Sequence, residues 1–165
     1  MESWVDAVID AGVDTILWDE PHFHEQGFLS SIPGRWGCSC NFCKNKFEKE
    51  FNEPFPKSET NELKQFKKNS IVEFIKKLSE RAKNGNVNNT LYLTGNIKSE
   101  LMEKEWQCYF EIDSIDTLST GPYWHWAKES VSQVSDFSKT LLQISSKNNK
   151  NTQIWIQGFK ISTGR

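Results

Sequence analysis

The groups able to do chemistry collect in two places. The first is Asp19-Glu20-Pro21-His22-Phe23-His24, a polar cluster directly after the apolar run Val13 to Trp18. Carboxylates in such a position serve as acid, base or nucleophile in glycosidic bond cleavage. Adjacent residues of a regular strand point to opposite faces, so only one of Asp19 and Glu20 is expected to face a common site. His22 and His24 alternate and share a face with Glu20 in an extended segment. That pattern suits a two-His-one-carboxylate metal, or a histidine that binds substrate or tunes Glu20. The second place is Cys38, Cys40 and Cys43, a C-x-C-x2-C run. Three thiolates suit one Zn²⁺, which takes four tetrahedral ligands. Cys108 is the remaining cysteine and precedes a predicted strand. The other reading of the cluster is a set of reduced structural thiols.

These groups need a scaffold, and the hydrophobic pattern supplies one. Glu2 to Ala11 reads as a helix with Trp4, Val5, Val8 and Ile9 on one face, stopped by Gly12. Val13 to Trp18 reads as a strand. Cys38 to Phe51 turns helical, with Cys43, Phe47 and Phe51 spaced by four, and Pro54 and Pro56 end it. A long amphipathic helix covers Glu59 to Lys83, with Leu63, Phe66, Phe74, Ile75, Leu78 and Ala82 as its stripe. Thr90 to Thr94, Ile115 to Ser119 and Gln153 to Gln157 read as strands. Helices are expected over Lys98 to Glu105 and Ala127 to Ser145, the latter turning Val131, Val134, Phe137, Leu141 and Leu142 inward.

Strands alternating with helices predict an α/β chain of parallel strands and right-handed crossovers. No Gly-rich phosphate loop occurs, which disfavours a nucleotide-binding doubly wound sheet. Functional groups in such folds sit at the C-terminal ends of strands. There the sequence places Asp19, Glu20, His22 and His24, then Asn96, then Tyr123 and Trp124, then Trp155 and Gln157. Aromatic rings cover the apolar faces of sugars, while carboxylates and amides bind hydroxyls, so the mixture fits a carbohydrate site. Trp4 and Trp106 read instead as packing residues between helices and sheet. Asp116 is expected to start its strand, at the end away from the site.

Composition narrows the partners. Twenty basic residues against 22 acidic ones give a net charge of -2, which argues against a strongly basic nucleic-acid binder. No run approaches the roughly 20 apolar residues of a membrane helix. No secretory signal is visible at Met1-Glu2-Ser3-Trp4, so a reducing, cytoplasmic setting is expected.

The segment Gly12 to Pro21 resembles the fourth strand of a (β/α)8-barrel glycoside hydrolase, where the large retaining clan places its acid/base Glu, often in Asn-Glu-Pro. The resemblance assigns Glu20 as general acid/base, with Asp19 in place of the Asn and as a substitute second carboxylate. Trp36-Gly37-Cys38-Ser39-Cys40-Asn41-Phe42-Cys43 is similar to the cysteine segment of family 42 β-galactosidases, which implies structural zinc on Cys38, Cys40 and Cys43. Gly121-Pro122-Tyr123-Trp124 and Trp155 to Phe159 look like the ends of strands six and seven. Gln157 stands in the region where the clan has its nucleophilic Glu, which leaves a non-catalytic carbohydrate-binding remnant as an alternative, beside a metal-dependent hydrolase using His22 and His24. No cofactor is required for the glycosidase chemistry.

A (β/α)8 barrel typically needs about 250 residues and eight strands. The 165 residues therefore read as a single partial barrel domain, from about the fourth to the seventh strand, truncated at both ends. The remaining strands would come from further sequence or from another chain.

Overall fold

The computed structural model describes residues 1–21, 38–93, 106–123, 130–156 and 158. The elements run α1 (Glu2–Asp10), β1 (Thr15–Asp19), α2 (Asn41–Phe51), α3 (Asn61–Asn84), β2 (Asn88–Tyr92), a helical stretch α4 seen over 106–110, β3 (Thr117–Thr120), α5 (Ser132–Lys147) and β4 (Asn151–Ile154). They form two compact units, one of Met1–Glu20 with Lys76–Arg165 and one of Pro21–Ile75; the division falls within α3. No described helix is long and apolar enough to cross a membrane.

The first unit holds a four-stranded sheet in the order β1-β2-β3-β4, every pair parallel. A doubly wound sheet reverses its order part-way; these strands follow one another without reversal, as in a run of βα repeats. One face meets helices. Ile16 and Trp18 of β1 pack with Val5 of α1 and with Leu78 and Ala82 of α3. Strand alternation and register put Asn89, Leu91 and Leu118 on the same face. The other face carries Thr15, Leu17 and Asp19, exposed on β1, and Asn151 and Gln153, exposed on β4.

Gly85 follows α3 directly, and a Cβ there would lie 2.6 Å from Cδ1 of Ile9, so any larger residue must displace the Ile9 side chain. At the other end of α3, the Thr60 Oγ1 accepts from the Leu63 N–H at 3.2 Å, an N-terminal cap.

β2 begins two residues earlier than the hydrophobic pattern suggests, because Asn89 belongs to the core. It is fully buried. Its Oδ1 accepts from Trp18 Nε1 at 2.9 Å, and its Nδ2 donates to the carbonyls of Ser79 at 3.0 Å and Ser114 at 2.9 Å. Its backbone N–H donates to Asp116 Oδ2 at 2.9 Å. Asp116, just ahead of β3, also pairs with Lys83, so it ties the N-terminal end of the sheet together, away from the rim that carries Glu20.

Several packing expectations are corrected. Trp106 is buried, but Trp4 is 74% exposed, and Phe74, Val131 and Leu142 are exposed as well. An apolar stripe wider than the surface that receives it leaves its margins in water. Four residues of α5, Phe137, Leu141, Ile144 and Ser145, suffice to cover its side of the contact.

The second unit is built on aromatics. Phe47 is buried with Leu63 and Phe66, and Phe51, Phe55 and Cys43 pack against them. The Phe47 ring stacks on Phe51 at 4.8 Å and meets Phe55 and Phe66 edge-on at 5.4 and 5.5 Å. Such pairs add about 0.5–1.5 kcal/mol each beyond area burial.

Candidate functional site

The C-terminal ends of the strands stay bonded beyond the strands themselves. The Glu20 N–H donates to the Tyr92 carbonyl at 3.0 Å, the Leu93 N–H to Ser119 at 2.9 Å and the Trp155 N–H to Thr120 at 2.9 Å. Thr120 Oγ1 donates to the Leu93 carbonyl at 2.6 Å. This rim is therefore held by backbone bonds rather than left to loop conformation.

Glu20 takes a left-handed backbone, with φ 42°. For a non-glycine residue this is uncommon and unfavourable, and such strain concentrates at functional sites. It also breaks the alternation of β1. Asp19 and Tyr92 are register partners and so share a face. Both Asp19 and Glu20 act electrostatically on the Tyr92 phenol. The expectation that only one carboxylate can face the site rests on regular strand geometry, from which the backbone of Glu20 departs.

Tyr92 is the centre of this rim, and the sequence pattern gives it no role beyond a strand position. Its side chain is almost fully buried. Burial holds the phenol well above its ordinary pKa, a hydrogen bond with Tyr123 adds to the effect, and the Tyr123, Glu20 and Asp19 charges add further. Its ring meets Trp155 edge-on at 6.0 Å and 81°. A Cβ on Gly121 would lie 2.7 Å from the Tyr92 hydroxyl, 3.0 Å from the Trp155 carbonyl and 3.2 Å from its Cβ. Gly121 is thus the gap into which Tyr92 and Trp155 close. The available signal was a polar-tipped ring at the end of a strand whose neighbours end in carboxylates and aromatics.

Of the residues expected at this site, Asp19, Glu20, Tyr123 and Trp155 are placed on the rim of the first unit, with Tyr123 and Trp155 about half exposed. His22, His24, Asn96, Trp124 and Gln157 lie outside the described residues.

The cysteine cluster belongs to the second unit. Cys40 is the N-cap of α2, and Cys43 lies in its first turn. Cys43 is anchored on the aromatic core, whereas Cys38 and Cys40 are exposed. The ligand atoms of all three lie within 4.8 Å of one another, so the cluster can hold a metal ion. Cys40 makes no formal side-chain cap bond; the amide of Cys43 nonetheless favours its thiolate, with the Cys38 and Cys43 side chains helping, and lowers its pKa to about 7. Burial, then the hydrogen bonds from Cys38 and Cys40, push Cys43 up to about 12. Of the two, the exposed Cys40 therefore loses its proton first, as expected of a thiol at a helix N-terminus. Cys108 lies in α4, in the first unit.

No protein-family model matches this chain, and no curated protein or solved structure matches it either. The functional reading therefore rests on the rim and the cysteine cluster themselves.

Proposed function

We propose that the chain is part of a (β/α)8-barrel glycoside hydrolase-like protein, with Glu20 as general acid/base and the rim of the sheet as its sugar site. The observation that carries this reading is the placement of Asp19 and Glu20 at the C-terminal end of β1, register partner of the strand that ends on the buried Tyr92, on the rim that also carries the exposed rings of Tyr123 and Trp155. Two carboxylates set against aromatic surface match the needs of glycosidic cleavage, where one group protonates the leaving oxygen and the other acts on the far side of the ring. The sequential parallel order of the strands supports the barrel, because right-handed crossovers without reversal keep helices on one face and turn the other inward. On that inner face Ser119, register partner of Tyr92, has a buried hydroxyl with no partner among the described residues. His22, His24, Asn96, Trp124 and Gln157 would complete the sugar contacts. Oligosaccharide binding combined with a reducing-sugar assay tests this reading. Binding with turnover supports it, binding without turnover favours the non-catalytic remnant suggested by Gln157, and neither would remove it.

Cys38, Cys40 and Cys43 would hold a structural zinc. A tetrahedral zinc with bonds of about 2.3 Å sets its sulfurs about 3.8 Å apart, and sulfurs already within 4.8 Å need little movement to reach it. The chain supplies three of four ligands from this cluster. Titration with Co²⁺ is expected to give one equivalent bound with thiolate-to-metal absorption. Cys40→Ser is expected to weaken binding by at least about tenfold, and an unchanged titration in the triple Cys→Ser variant would exclude the cluster as the site.

A further inference from the structure

We infer that the two lateral ends of the four-stranded sheet are the two halves of one interface, and that its occupant is a second copy of this chain, each copy giving four strands to an eight-stranded barrel. This rests on the barrel part of the reading above and adds to it a partner and a surface.

The sheet has two edges among the described residues, β1 and β4. Their backbone groups are engaged on one side only. β1 meets β2 through the Asp14 carbonyl and the Glu20 N–H, and backbone direction alternates along a strand, so the groups of Thr15, Leu17 and Asp19 point away from the sheet. β4 meets β3 through the N–H groups of Asn151 and Trp155, so those of Thr152 and Ile154 point outward. Each edge is a ready template for another strand.

The helices beside these edges expose matching flanks. In α1, Val5 packs inward, while Glu2 and Asp6 pair with Lys77 and Arg81 of α3. At about 100° per residue, Trp4 and Val8 fall on the flank turned away from α3, beyond β1. Trp4 is 74% exposed there. In α5, Phe137, Leu141 and Ile144 form the buried side. Val131, Ser135, Ser138 and Leu142 lie about a quarter turn further round, and a right-handed crossover turns that flank outward past β4. Val131 and Leu142 are more than half exposed, as is Ile156 just after β4. Neither flank carries a charge, in a chain of which 25% is charged. Large apolar side chains gathered on open sides mark an interaction surface.

A second copy fits because the two ends complement each other and not themselves. The β1 end accepts a parallel strand with a free edge and an uncharged helix flank beside it. The β4 end of an identical unit offers both, and the converse holds at the other end. Both ends therefore fill at once in a two-fold ring. Four strands in sequential order are half of the eight that close a barrel, so two copies leave no edge open. The ring also completes the C-terminal rim, which one copy alone leaves open on two sides.

The test is the mass of the whole chain in solution, by sedimentation equilibrium under reducing conditions. The parent is expected to be a dimer. Trp4→Glu and Leu142→Glu each place a charge on one flank and are expected to weaken association by at least about tenfold, the scale of a single interface anchor. Both side chains are exposed within one copy, so the far-ultraviolet circular dichroism of each variant is expected to match that of the parent. The two variants mixed together keep one intact interface, and the mixture is expected to associate at least about tenfold more tightly than either variant alone. A monomeric parent would overturn the inference and assign both ends to strands of other sequence. An open-ended polymer, a dimer indifferent to both substitutions, or a mixture that stays monomeric would overturn it as well. A dimer that binds no oligosaccharide removes the sugar site and leaves this interface standing, whereas a monomer that binds one does the reverse.

Discussion

Asn89→Ala is expected to destabilise the first unit by about 3–5 kcal/mol, more than any surface change in the chain. The substitution empties a fully buried position and removes three hydrogen bonds at once, those to the Trp18 indole N–H and to the carbonyls of Ser79 and Ser114. Each buried polar group left without a partner costs about 1–3 kcal/mol. The network also links β1, α3 and the approach to β3, so no single local adjustment restores it. The Ser79 and Ser114 hydroxyls, 2.6 Å apart, are engaged with each other beside the vacated space and give no replacement for the indole contact. Denaturant unfolding followed by tryptophan fluorescence measures the loss. A loss below 1 kcal/mol would show that water or side-chain rotation takes over the partners. Asn89→Asp is expected to be nearly as damaging, because a carboxylate cannot donate to the two carbonyls that the amide nitrogen serves.

Glu20→Gln is the second change with a large expected effect. General acid/base catalysis contributes about 10²–10⁴-fold, so turnover of an aryl glycoside is expected to fall by that factor while binding persists. Glutamine keeps the size of the side chain and the N–H donated to Tyr92, so the melting transition is expected to stay close to that of the parent. Asp19→Asn gives the comparison. If Glu20 is the acid/base, its loss dominates on poor leaving groups and lessens on good ones, and the Asp19 variant does not share that dependence. Equal turnover by Glu20→Gln and the parent, in preparations shown to be active, would remove Glu20 from the mechanism.

How much of this was legible in the sequence depends on the kind of force concerned. The alternation of strands and helices was legible, because it rests on periodicity in long segments and on terminators such as Gly12 and Gly85. The aromatic core around Phe47 was legible for the same reason: Cys43, Phe47 and Phe51 recur at helical spacing. Asn89 was not. An asparagine in an Asn-rich stretch reads as loop, and its burial depends on partners 71, 10 and 25 residues away. The exposure of Trp4 was hidden because helical periodicity marks an apolar stripe but not how far the opposing surface extends. The backbone of Glu20 was hidden because strand alternation assumes regular geometry, and its left-handed φ is a property of the fold around it. Tyr92 was missed through a shift of two residues: a strand drawn to Thr94 buries the tyrosine mid-strand, whereas the strand that forms ends on it.

The close approach at Gly121 carries a consequence for how sequences of this kind can drift. The Tyr92 hydroxyl and the absent side chain at position 121 occupy one volume. The constraint runs one way: position 92 can shorten alone, but a larger residue at 121 is tolerated only after the ring at 92 has shortened or turned away, and Trp155 must then give way as well. In a set of related chains the two positions should therefore vary together, with glycine at 121 wherever tyrosine stands at 92. Their joint history would record when the rim acquired its second phenol.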